Sequence, residues 1–182
     1  MRRPLAILTV VVVALVGAAL AGCDSEPRSE RGSRIIAAGD RVAAPVVRGP
    51  LMDGSGTFDL TGHRGDVVVV NFWASYCAPC RTEAPDLEAV LAATKADNVR
   101  FIGINVRDQR DPAMAYLTDV KPGYGSIFDP AAKLAIEFDV PPNTIPATLL
   151  IDRQGRIAAV FRSIVTRAVL EPAVRSLVAE PK

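Results

Sequence analysis

The sequence is poor in the side chains that build metal centres and disulfide frameworks. A single histidine, His63, stands among 182 residues, which excludes multi-histidine metal sites. Three cysteines are too few to staple a miniprotein. Neither sign of charge dominates: 21 Lys and Arg face 20 Asp and Glu, so the composition makes no electrostatic case for nucleic acid as a partner. No internal repeat is visible. With 49% hydrophobic residues, the chain is also far from a disordered composition and is long enough for one domain with a proper core.

What is present begins with an address. Arg2 and Arg3 precede an uncharged apolar run from Leu5 to Leu20, which ends in Leu20-Ala21-Gly22-Cys23. A basic start, a short apolar stretch and small residues before a cleavage point are the parts of an export signal. A cysteine directly after the small pair resembles a bacterial lipobox, in which that cysteine is lipidated. The alternative is an uncleaved membrane anchor, although the run is at the short end for a span of about 20 residues. Either way, the rest of the chain is expected outside the cytoplasm, tethered to a membrane. Arg2-Arg3 leaves the twin-arginine route open beside the general one. The expected organisation is a lipoprotein signal peptide over 1–22, a polar flexible tether over 23–41 and a folded domain over 42–182.

That domain reads as strands alternating with helices. Segments near Val46 and over Thr57–Leu60, separated by Asp53-Gly54-Ser55-Gly56, predict an early hairpin. Val67 to Trp73 is a nearly continuous apolar run, as in a strand buried on both faces. From Cys80 onward Ala84, Leu87, Val90, Leu91 and Thr94 recur at helical spacing, with Pro85 expected to kink that helix or mark its first turns. Val99–Val106 predicts a strand, and Asp111-Pro112 a helix with Asp111 as its cap. A short strand over Ser126–Phe128 and a short helix over Pro130–Phe138 follow. Ala147–Ile151 and Arg156–Phe161 flank a turn and predict a second hairpin, and Thr166 is placed to cap a last helix. The expected fold is α/β: a central mixed sheet flanked by helices on both faces, with an amino-terminal hairpin extension.

The most informative stretch is Cys77-Ala78-Pro79-Cys80, where the buried strand passes into a helix. Unpaired amides and the macrodipole at a helix N-terminus favour a thiolate on the first cysteine. The second, one turn later, can attack a mixed disulfide made by the first. Haem attachment needs a histidine after the second cysteine, where Arg81 stands. Zinc needs four ligands, which Cys77, Cys80, His63 and Cys23 do not plausibly supply. A purely structural disulfide stays possible, but it would close a very short loop and restrain little. His63 is expected in a surface loop.

Asn71-Phe72-Trp73-Ala74, Cys77-Ala78-Pro79-Cys80-Arg81 and Glu83-Ala84-Pro85, followed by Thr144-Ile145-Pro146-Ala147-Thr148 and Ile151-Asp152-Arg153-Gln154-Gly155-Arg156, resemble the membrane-tethered TlpA/ResA branch of the thioredoxin superfamily. The resemblance runs from about Val46 to the C-terminus. It implies a thioredoxin-like fold and extracytoplasmic thiol-disulfide exchange; several members reduce apocytochrome c, and some relatives act as oxidants. Cys77 then matches the nucleophile and Cys80 the resolving cysteine. Pro146 matches the proline with a cis preceding bond, and Ile145 the residue whose backbone pairs with an extended substrate. Trp73 and Tyr76 are expected to flank that substrate. Tyr76 replaces a tryptophan common in relatives. Glu83 matches a carboxylate that tunes the cysteines, a solvated helix glutamate being the alternative. Asn71 occupies the position of the buried aspartate of cytoplasmic thioredoxins.

The implied protein is a monomeric enzyme with no cofactor and no metal. Its partners are an exported protein bearing a disulfide or dithiol, a membrane thiol donor, and the lipid bilayer through Cys23. The rival readings are a disulfide-forming oxidase and a non-catalytic, thiol-dependent metal- or peptide-binding module. The lack of a later histidine and of a C-x-x-x-C spacing weighs against copper delivery.

Overall fold

The computed structural model describes residues 33–141 and 143–181; the signal segment, Cys23 and the first part of the expected tether lie outside the described residues. Eight strands and four helices follow in order: β1 Ser33–Ile35, β2 Arg48–Pro50, β3 Thr57–Asp59, β4 Val67–Trp73, α1 Ala78–Ala93, β5 Val99–Val106, α2 Arg110–Val120, β6 Ser126–Asp129, α3 Lys133–Glu137, β7 Ala147–Ile151, β8 Ile157–Phe161 and α4 Arg167–Ala179. Six of the strands form one sheet in the order β1-β8-β7-β4-β5-β6. β4, β5 and β6 are parallel, while β7, β8 and β1 are added antiparallel. The predicted mixed sheet is thus observed, and β2 and β3 form the separate hairpin expected near the amino terminus.

β4 explains why the sheet needs cover on both sides. All seven of its residues are buried, and the pleat sends them alternately to opposite faces. Val68, Val70 and Phe72 join Ile102, Ile104 and Leu149 in a core closed by Phe58 and Leu60 of the hairpin region and by Ala135 and Phe138 around α3. Val67 and Val69 join Leu150 and Phe161 against Leu87 and Val90 of α1 and Leu170, Val174 and Leu177 of α4. Because β4 lies between β5 and β7, its carboxyl end is a fixed, interior point of the molecule.

The structure moves three expectations. The sheet begins inside the stretch assigned to the tether: Ser33–Ile35 pair with Ala159–Phe161, and the buried Arg41 guanidinium bonds Asp152 at 3.2 Å and Glu180 at 2.6 Å. The strand is three residues long and pairs through its backbone, and Arg41 is held by charge, so no hydrophobic pattern reveals them. The domain boundary at 42 is therefore too late. Asp111 is not the cap of α2, which starts at Arg110 after Gln109; Asp111 sits in the first turn, where its charge favours the helix dipole. His63 ends a 3-10 turn and stacks on Phe58 with ring centres 4.9 Å apart, rather than lying in an open loop.

Pro85 lies inside α1 and removes one intrahelical hydrogen bond. Thr166 precedes α4 as placed, but its side chain makes no capping bond. Instead the Arg167 amide donates to Asp86 on α1, which ties the start of α4 to the middle of α1.

Candidate active site

The buried strand β4 ends at Trp73, and Ala74-Ser75-Tyr76 turn the chain into α1. Cys77 is the residue that caps this helix: its Sγ accepts a hydrogen bond from the Cys80 amide at 3.2 Å. The sulfur therefore sits where the unpaired amides of the first turn converge, a position that favours negative charge. Cys77 and Cys80 form a disulfide and are 5% and 2% exposed.

The turn before the cysteines is held by a residue that the motif does not contain. Asp108 follows β5, and its carboxylate accepts from the Ser75 amide at 2.6 Å and the Ser75 hydroxyl at 2.9 Å. Asn105 and the Gln109 amide donate to the same group. Burial pushes the Asp108 carboxyl up, but these hydrogen bonds outweigh it and hold the group below the usual carboxylate range. A depressed native pKa makes this contribution to stability complete above the unfolded value and lost as pH falls through the folded one. Asp108→Ala is expected to cost about 1–3 kcal/mol by orphaning the Ser75 donors. Urea denaturation at pH 7 and at acidic pH checks this, the gap between variant and wild type narrowing on the acid side. Only the rule that sites gather beyond the carboxyl ends of parallel strands could have pointed to Asp108 from sequence.

Glu83 lies one turn after Cys80 on α1 and is completely buried. Its Oε1 accepts from Asn71 Nδ2 at 2.8 Å and its Oε2 from the Val165 amide at 3.1 Å, which excludes the solvated alternative. Burial raises its pKa from 4.5 to about 7, against the opposing hydrogen bonds from Val165 and Asn71. Asn71 also donates to Thr148 on β7. A cavity of about 20 Å³ is lined by Asn71, Trp73, Cys80, Tyr116 and Ser126. That is room for about one water beside the resolving cysteine and Asn71.

The Ile145–Pro146 peptide bond is cis. β7 runs antiparallel to β4 with Ala147 opposite Phe72, so Ile145 and Pro146 flank the end of β4. Ile145 packs against the cluster that contains Cys77 and Cys80. Among the described residues, no hydrogen bond engages the Ile145 backbone. Tyr76 is 64% exposed, and a cleft of about 70 Å³ opens between it, Ile145, Arg107 and Val140.

Trp73 is corrected by the structure. It is 4% exposed, donates from Nε1 to Ser126 Oγ at 3.1 Å and packs on Tyr116, whose ring also carries Arg81. It supports the site from beneath and does not face a substrate. Gly103 makes this seat possible, because a Cβ there would lie 2.8 Å from Trp73 Nε1 and 2.2 Å from Ser126 Oγ.

Known proteins share this arrangement. Residues 41–160 match the AhpC/TSA family. The thiol:disulfide interchange protein HelX of Rhodobacter capsulatus is 29% identical over 180 residues, covering 98% of each chain. A secreted thiol-disulfide isomerase from Corynebacterium glutamicum superposes with a TM-score of 0.77 at 33% identity, over 85% of this chain and 96% of its own. A DsbF homologue from Corynebacterium diphtheriae does so with a TM-score of 0.74 at 33% identity, over 84% and 96%. Relatives of this kind remove the reading of a non-catalytic binding module. On the family match and on the thioredoxin-like sheet that carries the cysteine pair, the chain belongs to the AhpC/TSA family and is a thiol-disulfide oxidoreductase.

Proposed function

We propose that this oxidoreductase is held outside the cytoplasm through a lipidated Cys23 and reduces disulfides of exported proteins, with apocytochrome c as the leading client. The export signal and lipobox support the location, and the resemblance to the TlpA/ResA branch supports the client. The direction rests on one observation, the buried Glu83 one helical turn from Cys80. A carboxylate in that position disfavours negative charge on the neighbouring thiols and so favours the disulfide member of the couple.

The reaction then runs as two exchanges. The Cys77 thiolate attacks a client disulfide, forms a mixed disulfide and releases one client thiolate. The Cys80 thiol passes its proton to Glu83 and attacks Cys77 Sγ. The second client thiolate leaves, the Cys77–Cys80 disulfide forms, and the client has gained two electrons. A client strand lies against Ile145, whose backbone groups are open to pairing, while Tyr76 borders the cleft beside it. A membrane thiol donor returns two electrons and two protons to the pair.

The equilibrium potential of the Cys77–Cys80 couple tests the direction. Titration against dithiothreitol or glutathione buffers is expected to place it near the thioredoxin end of the range, roughly −270 mV. A value near about −120 mV would replace the reductase with the disulfide-forming oxidase.

A further inference from the structure

The register of β1 determines which end of the domain the tether leaves from. Ser33 pairs with Phe161, Phe161 with Thr148 and Thr148 with Asn71. β1 runs antiparallel to β8, β8 to β7 and β7 to β4, so β1 points away from the cysteine-bearing end. The chain thus enters the sheet level with Asn71, two residues before the end of β4, and runs to Arg41 at the opposite end, where Asp152 and Glu180 hold it. Had the folded domain begun at 42, the tether would depart from that opposite end. The three residues of β1 reverse the expected geometry.

We infer that the domain is held with its Cys77–Cys80 end toward the bilayer, so that redox partners are met at the membrane surface. This rests on the proposed anchoring through Cys23. Ser33 is ten positions after Cys23, which limits their distance to about 35 Å even at full extension. With the cysteine end down, that reach is slack. With the domain inverted, Ser33 stands above the bilayer by the rise of β4 from Asn71 back to Val67, about 13 Å, and by the loops beyond it. A flexible chain of this length averages about 17 Å end to end, so inversion takes up most of that reach and leaves the connection fewer conformations.

The surface at the cysteine end suits this placement. Tyr76 and Ile164 expose 64% and 42% of their apolar side chains there. Arg107 and Arg110, in the segment after β5, have no carboxylate partner among the described residues and so offer charge to an anionic lipid surface.

Energy transfer to a headgroup-labelled lipid tests the orientation. The full lipidated chain is placed in vesicles of phosphatidylcholine and phosphatidylglycerol, with a donor dye at Ser163→Cys or at Lys95→Cys. Position 163 follows β8 at the cysteine end and position 95 follows α1 at the other; both are exposed, and in the oxidised protein Cys77 and Cys80 do not react with the dye. The expected result is severalfold stronger transfer from position 163. Equal transfer, or stronger transfer from position 95, overturns the inference. Anchoring is read separately, from the loss of vesicle binding in Cys23→Ser. If binding does not depend on Cys23, the anchoring reading fails by itself. The same two labels are then compared on nickel-chelating lipid with a hexahistidine in place of Cys23, where the same two outcomes support or overturn the orientation.

Discussion

Cys77→Ser is expected to abolish disulfide exchange, and Cys80→Ser still to attack substrate and to accumulate as a mixed disulfide through Cys77. The asymmetry follows from where the two sulfurs sit. Cys77 caps α1 and receives the Cys80 amide, so it occupies the position that favours a thiolate nucleophile. Cys80 lies inside the first turn of α1, bonded to Cys77 Sγ, where it is placed to release a mixed disulfide formed by Cys77. Removing Cys77 leaves no attacking group at the surface, and turnover falls to background. Removing Cys80 blocks only the second exchange, because the mixed disulfide has no neighbouring thiol to release it. Non-reducing electrophoresis with a disulfide-bearing substrate, followed by mass analysis of the linked species, checks both halves. Adducts on Cys80 in the Cys77→Ser protein would reverse the assignment.

Glu83→Gln is expected to change both the pH dependence of stability and the redox balance. The folded protein holds a proton on Glu83 up to about pH 7, while the unfolded chain releases it near 4.5. Between those values the native state binds more protons, so wild-type stability falls as pH rises and is flat above the window. A shift of this size corresponds to about 3 kcal/mol. The glutamine variant lacks this descent and is the more stable protein at pH 8. Asn71 permits the exchange: rotating its amide turns Oδ1 toward the new glutamine NH₂ and toward the Thr148 hydroxyl, while the glutamine oxygen keeps the Val165 amide. Denaturation of the oxidised proteins from pH 4 to 8 measures the difference. Above about pH 7, where Glu83 is ionised, the same substitution removes a negative charge beside the thiols and makes the couple more oxidising, by about 30 mV for each tenfold change in equilibrium. An unchanged potential with an altered pH profile would leave Glu83 as a buried structural acid with no part in exchange.

The redox pair, its proline and the main strands were legible in the sequence because each is written in local chemistry. Val67–Trp73 is apolar at every position but Asn71, and only a strand covered on both faces uses such a run. Cys77 and Cys80 lie three residues apart at the start of a helix, so their meeting needs no distant part of the chain. Ile145-Pro146 was found through the resemblance, and the structure carries the cis bond there.

Other features depend on residues far apart in sequence and had no local signature. Asp108 reaches Ser75 across 33 positions because β4 and β5 are parallel neighbours whose carboxyl ends open onto the same loops. The environment of Glu83 is assembled from α1, Asn71 on β4 and the Val165 amide beyond β8, so only the closed core shows that this glutamate is dry. Trp73 reads as a substrate-facing aromatic until Gly103, Ser126 and Tyr116 are brought beneath it. β1 was hidden because it is only three residues long and lies in a largely polar stretch, too short to show an alternating pattern. By itself the sequence determined the chemistry and the strands that carry it. Which buried groups surround the cysteines, and which end of the domain the tether leaves, were decided by tertiary pairing, because backbone hydrogen bonds and burial join residues whose side chains record nothing of one another.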